Sequence, residues 1–204
     1  MSMNGTSESG PTKMPLAFID VLEAHHLKHG LLIELLQKER LKKEYDGGSV
    51  SVSLYDAAVS SLTNQASNYL MTGKIPQRIG SKHPNIAPYG ELFETKDGVT
   101  ITFAIGSNLH FEKLCRFLGV QQLSNDDRFK TVQDRVHNRN DLQRLLEEPV
   151  KNLKAKEILT ALNNQFVPCG EIKDLKAVFE QSEAQSMVRK ESIDGIETKR
   201  GSAI

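Results

Sequence analysis

Glu91-Leu92-Phe93-Glu94-Thr95-Lys96-Asp97-Gly98-Val99-Thr100-Ile101-Thr102-Phe103-Ala104 is the stretch on which the fold turns. Two arms rich in β-branched and aromatic residues flank an Asp97-Gly98 pair, and glycine accepts the positive φ that reverses a chain at no steric cost. The pattern predicts a β-hairpin. Downstream of it, residues 108–118 with Gly119 as their stop, 132–146 and 154–166 carry helical periodicity, and 174–182 carry a shorter stretch. Residues 91–190 therefore read as a small α+β domain around a central hairpin.

Upstream, residues 1–15 are rich in Ser, Gly, Thr and Pro, which favour turns over any buried periodic face. A short apolar, strand-like run over 16–19 leads to Asp20. Leu27, Leu31, Ile33, Leu35 and Leu36 then recur near helical spacing, with Lys28, Glu34 and Lys38 between them, which predicts an amphipathic helix ending near Leu41. Residues 49–54 alternate polar with apolar and predict a strand; 56–71 predict one packed helix, and Gly73, Pro76 and Gly80 break it. The last residues, 193–204, read as a hairpin entered but not completed. Both termini are expected to fall inside a larger fold.

Lys plus Arg and Asp plus Glu both number 26, so no net field favours nucleic acid or an anionic surface. No run approaches the about 20 apolar residues of a membrane span, and no leader is visible, so a cytoplasmic chain without nucleic-acid or membrane partners is expected. Cys115 and Cys169 lack CxxC spacing and read as reduced thiols; no basic neighbour in the sequence is placed to activate Cys169. His25 and His29 stand one helical turn apart beside His26, yet no third ligand is near, so no metal site is expected. Nucleophile-elbow, phosphate-loop and dinucleotide-loop patterns are absent, which argues against a serine hydrolase or a nucleotidase.

Two features remain. Asp20 stands at a helix start, where unpaired N–H groups favour negative charge; local pattern leaves open whether it only caps the helix or does chemistry. Ser81-Lys82-His83-Pro84-Asn85-Ile86-Ala87-Pro88-Tyr89-Gly90 is a loop stiffened by two prolines, either a connector or a ligand-facing element.

Ile19-Asp20-Val21, Val50-Ser51-Val52-Ser53-Leu54-Tyr55-Asp56-Ala57, His83-Pro84-Asn85-Ile86-Ala87-Pro88-Tyr89-Gly90, Phe93-Glu94-Thr95-Lys96-Asp97-Gly98, Asp127-Arg128-Phe129 with Arg135 and Asn138-Arg139, and Val167-Pro168-Cys169-Gly170 occur in that order after Met1-Ser2-Met3-Asn4-Gly5 and Gly10-Pro11-Thr12-Lys13. In this order and spacing the chain resembles the class III CoA transferases, the family of formyl-CoA transferase, the carnitine and bile-acid CoA transferases and α-methylacyl-CoA racemase.

The resemblance implies an α/β fold: part of a Rossmann-like large domain over 1–75, a linker and active-site loop over 76–90, the small domain over 91–190 and the start of a return to the large domain over 191–204. It places Asp20 on the family's catalytic aspartate and implies transfer of CoA between carboxylic acids through an aspartyl intermediate. Coenzyme A thioester is then a substrate, and no separate cofactor is implied. It makes His83, Asn85 and Tyr89 the substrate-binding residues of a loop that is glycine-rich in formyl-CoA transferase; the replaced glycines imply another acyl specificity. Residues 42–48 replace the family's short Thr-Gly-x-Gly-Gln turn, and Glu171 stands where proline is common.

The family implies an interlocked homodimer, a Rossmann-like portion before Met1 that carries most CoA contacts, and more chain after Ile204. Two alternatives accompany this reading. One is a 2-methylacyl-CoA racemase using Asp20 as acid/base, although Val21-Leu22-Glu23-Ala24 stands where the racemases carry a glycine-rich run. The other is an inactive fragment that serves only as a dimerisation module.

Overall fold

In a computed structural model of the chain, residues 2–202 are described; Met1, Ala203 and Ile204, which belong to the first quoted family stretch and to the expected terminal return, lie outside the described residues. The chain divides into two compact units, one ending at Gly80 and one beginning at Ser81.

The first unit is helical. Its lead-in folds on itself, with Asn4 and Thr12 exchanging hydrogen bonds, and Gly80 N–H donates to the Gly5 carbonyl at 2.9 Å. Helix α1 spans Phe18–Leu41. It starts two residues before Asp20, so 18–19 are helical rather than strand-like. It also buries none of its residues: Leu31, Leu32, Ile33, Leu35 and Leu36 are all more than half exposed. Its leucines spread around the helix instead of collecting on one covered stripe, so the amphipathic expectation does not hold within this unit.

The strand expected over 49–54 does not form. Residues 45–53 run irregularly back along α1, where Val50 lies against Gly30 and the Tyr45 hydroxyl donates to Glu34 Oε2 at 2.9 Å. The polar–apolar alternation is real, with Val50 and Val52 half-buried, but no strand pairs with it. Ser53 then caps a helix: its side chain accepts from Asp56 N–H at 3.0 Å, which starts α2 at Leu54–Ser60. The helix expected over 56–71 is thus two, α2 and α3 (Thr63–Thr72), and Gly73 closes α3 in the left-handed conformation at φ 70°. Among the described residues of this unit, Ala57 is the buried apolar one.

The second unit holds the main core. Strands β1 (Tyr89–Glu94) and β2 (Thr100–Ala104) form the expected hairpin, antiparallel with Phe93 opposite Ile101. At its tip Gly98 adopts φ +73°, and the Thr95 hydroxyl donates to Asp97 Oδ1 at 2.7 Å. Helices α4 (Asn108–Phe117), α5 (Val132–His137), α6 (Arg139–Lys151) and α7 (Ala155–Asn163) follow, so the stretch expected as one helix over 132–146 breaks at Asn138.

A third strand, β3 (Cys169–Glu171), pairs antiparallel with β2 and makes it the centre of the sheet. Phe93, Ile101, Phe103, Phe111, Leu114, Phe129, Leu142, Leu146, Ile158 and Leu162 pack into one cluster, each at most 2% exposed. Burying a side chain of this size stabilises by about 1.5–3 kcal/mol, so this cluster is what fixes the hairpin and its preceding loop.

The short helix expected over 174–182 is α8 (Leu175–Phe179), and a further short helix, α9 (Ser182–Ser186), follows it. The closing segment corrects the sequence expectation: β4 (Val188–Ile193) and β5 (Ile196–Gly201) pair along their full length about an Asp194-Gly195 turn with positive φ at both residues. This is a complete hairpin, and its turn is the paired left-handed type that matches strand twist.

Candidate active-site loop and helix-start carboxylate

Asp20 is the third residue of α1 and is exposed. The N-cap position belongs to Ala17, which has no side chain to offer the first-turn N–H groups. Asp20 is therefore not the capping residue. It is the acid of the first turn, near the positive end of the helix dipole, with its carboxylate open to solvent. His25, His26 and His29 are exposed, and His26 Nε2 lies 3.4 Å from the Ser60 hydroxyl. Among the described residues no three metal-ligating side chains converge.

In the second unit the loop of residues 81–90 brings His83, Asn85 and Tyr89 together. The His83 and Tyr89 rings lie 5.0 Å apart at 53°, His83 N–H donates to the Tyr89 carbonyl at 2.8 Å, and Asn85 N–H donates to His83 Nδ1 at 3.1 Å. That last bond requires Nδ1 to be an acceptor, so the imidazole is neutral with its proton on Nε2. Burial, and then the nearby Arg139 charge, hold His83 below the ordinary histidine pKa, which agrees with that tautomer.

Two arginines hold this loop. Arg139, at the start of α6, donates from Nη2 to the carbonyls of His83 and Ile86, both at 2.6 Å. Its Nε lies 3.1 Å from Glu91 Oε1, a charge contact rather than an aligned hydrogen bond. Glu91 is only 2% exposed, and its other oxygen accepts from Tyr89 N–H. Arg135, on α5, is fully buried. It donates to the carbonyls of Ala87 at 3.0 Å and Phe129 at 2.9 Å and to Asn108 Oδ1 at 2.9 Å, with its guanidinium 4.5 Å from the Phe111 ring centroid.

Arg135 and Arg139 belong to the quoted family stretches, but their role was not legible there, because the loop carbonyls they hold lie 48 to 56 residues away. Glu91 did leave a signal: it occupies a buried position of β1 while Leu92 faces outward, an inversion that demands a buried cation partner.

The cysteines offer no nucleophile. Burial pushes the Cys115 thiol up to about 12 and raises that of Cys169 as well. Among the described residues no helix is long and apolar enough to cross a membrane.

Comparison with known proteins points one way. A family model described as CoA-transferase family III matches residues 1–199. Succinate--glutarate CoA-transferase of Agrobacterium fabrum is 29% identical over 186 residues, 91% of this chain and 45% of that protein. The human succinyl-CoA:glutarate CoA-transferase is 30% identical over 179 residues, 88% and 40% respectively. Among solved structures, a CAIB/BAIF family protein from Brucella suis is 34% identical with a TM-score of 0.67, covering 97% of this chain and 51% of that one. A Mycobacterium tuberculosis protein, at 23% identity, shares the fold with a TM-score of 0.77 over 99% of this chain and 53% of its own. The chain spans about half the length of the relatives it matches.

Proposed function

The chain belongs to CoA-transferase family III, and from that premise we propose that the whole protein moves coenzyme A between carboxylic acids through a covalent intermediate on Asp20. The observation that carries this reading is the family match over residues 1–199; the assignment of the reactive carboxylate to Asp20 is our own, from its place among the segments that resemble the family. Its exposure in the first turn of α1, beside N–H groups that no Ala17 side chain can cap, supports the role.

The chemistry proceeds in balanced steps. An Asp20 oxygen attacks the donor thioester carbonyl, the C–S bond breaks, and a mixed anhydride and CoA thiolate result. The thiolate attacks the aspartyl carbonyl and frees the donor acid with that oxygen, leaving an aspartyl thioester. The acceptor carboxylate attacks this thioester and releases thiolate, which takes the acceptor acyl group and restores Asp20. Each step exchanges one activated acyl group for another, so no single barrier carries the whole transfer. N–H groups at the helix start are suited to the oxyanions that form on the way.

Short dicarboxylic acids are the proposed substrates, after the names of the two CoA-transferases above. His83, Asn85 and Tyr89 are the proposed substrate-binding residues, and the thioester is substrate rather than cofactor. The same reading assigns residues 1–75 to a Rossmann-like large domain, treats 76–90 as linker and active-site loop, and expects an interlocked homodimer in the cytoplasm. Racemisation is not favoured, since both of those relatives are named as transferases.

The test is turnover by the full-length enzyme with succinyl-CoA and glutarate. Asp20→Ala should abolish transfer; Asp20→Ala at wild-type rate overturns the proposal, as does α-carbon deuterium exchange without transfer.

A further inference from the structure

We propose that Arg139, acting with Glu91, is a positioning residue that holds the His83–Tyr89 loop as a fixed wall of the substrate site rather than as a lid. This rests on the reading that the loop contacts substrate.

The argument is a backbone account. The carbonyls of His83 and Ile86 accept from Arg139, that of Ala87 from Arg135, that of Pro88 from Ile105 N–H, that of Tyr89 from His83 N–H, and that of Gly90 from the Ser81 hydroxyl. A loop built to open leaves such groups to water, so that opening exchanges solvent contacts for solvent contacts. Here the acceptors are committed inward. Gly90 tightens the closure further: at φ +88°, a Cβ on it would stand 2.0 Å from the Ser81 carbonyl oxygen, so the chain can pass there only as glycine.

The charges fix the arrangement to one conformation. Glu91 is almost fully buried and its ion pair, at 3.1 Å, is with Arg139. Swinging the loop outward would take the His83 and Ile86 carbonyls off that guanidinium and Tyr89 N–H off the carboxylate. The buried charge would then lose part of what neutralises and solvates it. Arg139 suits the task because one planar group meets a carboxylate and two carbonyls at once, which a lysine ammonium on a flexible stem cannot do. Selection among acids then comes from fit against a preformed His83–Tyr89 face, whose two rings are already set at 53°.

The experiment compares the full-length enzyme with Arg139→Lys, which keeps the charge, and Glu91→Gln, which keeps the shape. Hydrogen exchange of peptides covering 82–90 and 99–104 is followed by mass spectrometry beside kcat and KM for glutarate. Both variants should exchange the loop roughly tenfold faster with β2 unchanged, and should raise the acceptor KM roughly tenfold with kcat within about threefold.

Loop exchange at the wild-type rate overturns the proposal. So does faster exchange in both segments, since the network would then hold the hairpin rather than the loop. Faster loop exchange with unchanged KM removes the positioning role. A wild-type enzyme that transfers no CoA to glutarate sinks the proposed function instead, and the exchange data still decide whether the loop is clamped.

Discussion

Arg135→Met is the sharpest test of how the second unit is built. The guanidinium is fully buried, and among the described residues it makes no ion pair; its three strong contacts, to the carbonyls of Ala87 and Phe129 and to Asn108 Oδ1, are all with neutral oxygens. Two opposing effects decide the outcome. Removing the donors strands the carbonyls of buried Ala87 and Phe129 at about 1–3 kcal/mol each, while exposed Asn108 can turn to water. Removing the cation also relieves its desolvation, which is worth several kcal/mol.

Methionine fills most of the volume, so cavity formation adds little, and the net loss should be about 1–2 kcal/mol. At roughly 3 °C per kcal/mol for a unit of this size, the midpoint should fall by about 3–6 °C. Urea and thermal unfolding of the 204-residue chain, followed by circular dichroism, measure both. A neutral or stabilising Arg135→Met would refute the reasoning, because it would mean that desolvation outweighs the bonds and that Arg135 does not hold the loop through the Ala87 carbonyl.

Three further outcomes are expected. Leu146→Ala, at a fully buried position in the core, should cost about 2–5 kcal/mol in urea unfolding, and a loss under about 1 kcal/mol would mean that α6 is not packed as described. Asp97 is held below the ordinary carboxylate range, first by the Ala155 N–H and then by the Thr95 hydroxyl; its stabilising effect is present above the unfolded value near 3.8 and is lost as pH falls through the folded one. Asp97→Ala should therefore flatten the acid limb of stability against pH, and an unchanged limb would contradict the assignment. His83 is likewise depressed, so its contribution is complete above about 6.5 and declines as pH falls; Arg139→Gln should move its titration, read by NMR, upward, whereas no movement would place the Arg139 charge elsewhere.

The parts that were legible in the sequence are those whose signals are local. The 91–104 hairpin follows from an Asp-Gly turn between period-two arms, and the end of α1 at Leu41 from the charged and glycine-rich residues beyond it. Residues 49–54 misled because alternation describes exposure, and exposure alone does not create a pairing partner; the Ser53 cap with Asp56 three residues on was the stronger signal. β3 is three residues long and has no period to read. Asp194-Gly195 carries the same turn chemistry as Asp97-Gly98, yet its arms are polar, so only the pairing of Val188–Ile193 with Ile196–Gly201 reveals a closed hairpin.

For the site, Asp20 drew attention through the order of the segments around it, while its local setting fitted a cap as well. The network of Glu91, Arg135 and Arg139 was hidden because it joins residues far apart in sequence, and only the buried position of Glu91 hinted at it.

Covalent trapping on Asp20 tests the central claim most directly. The full-length enzyme is incubated with succinyl-CoA and hydroxylamine, digested and read by tandem mass spectrometry. Hydroxylamine nitrogen should displace the CoA thiol from the aspartyl thioester and leave a hydroxamate on the peptide containing Asp20, absent when acyl-CoA is omitted. An enzyme that transfers CoA while every Asp20 side chain stays an unmodified carboxylate would contradict the account.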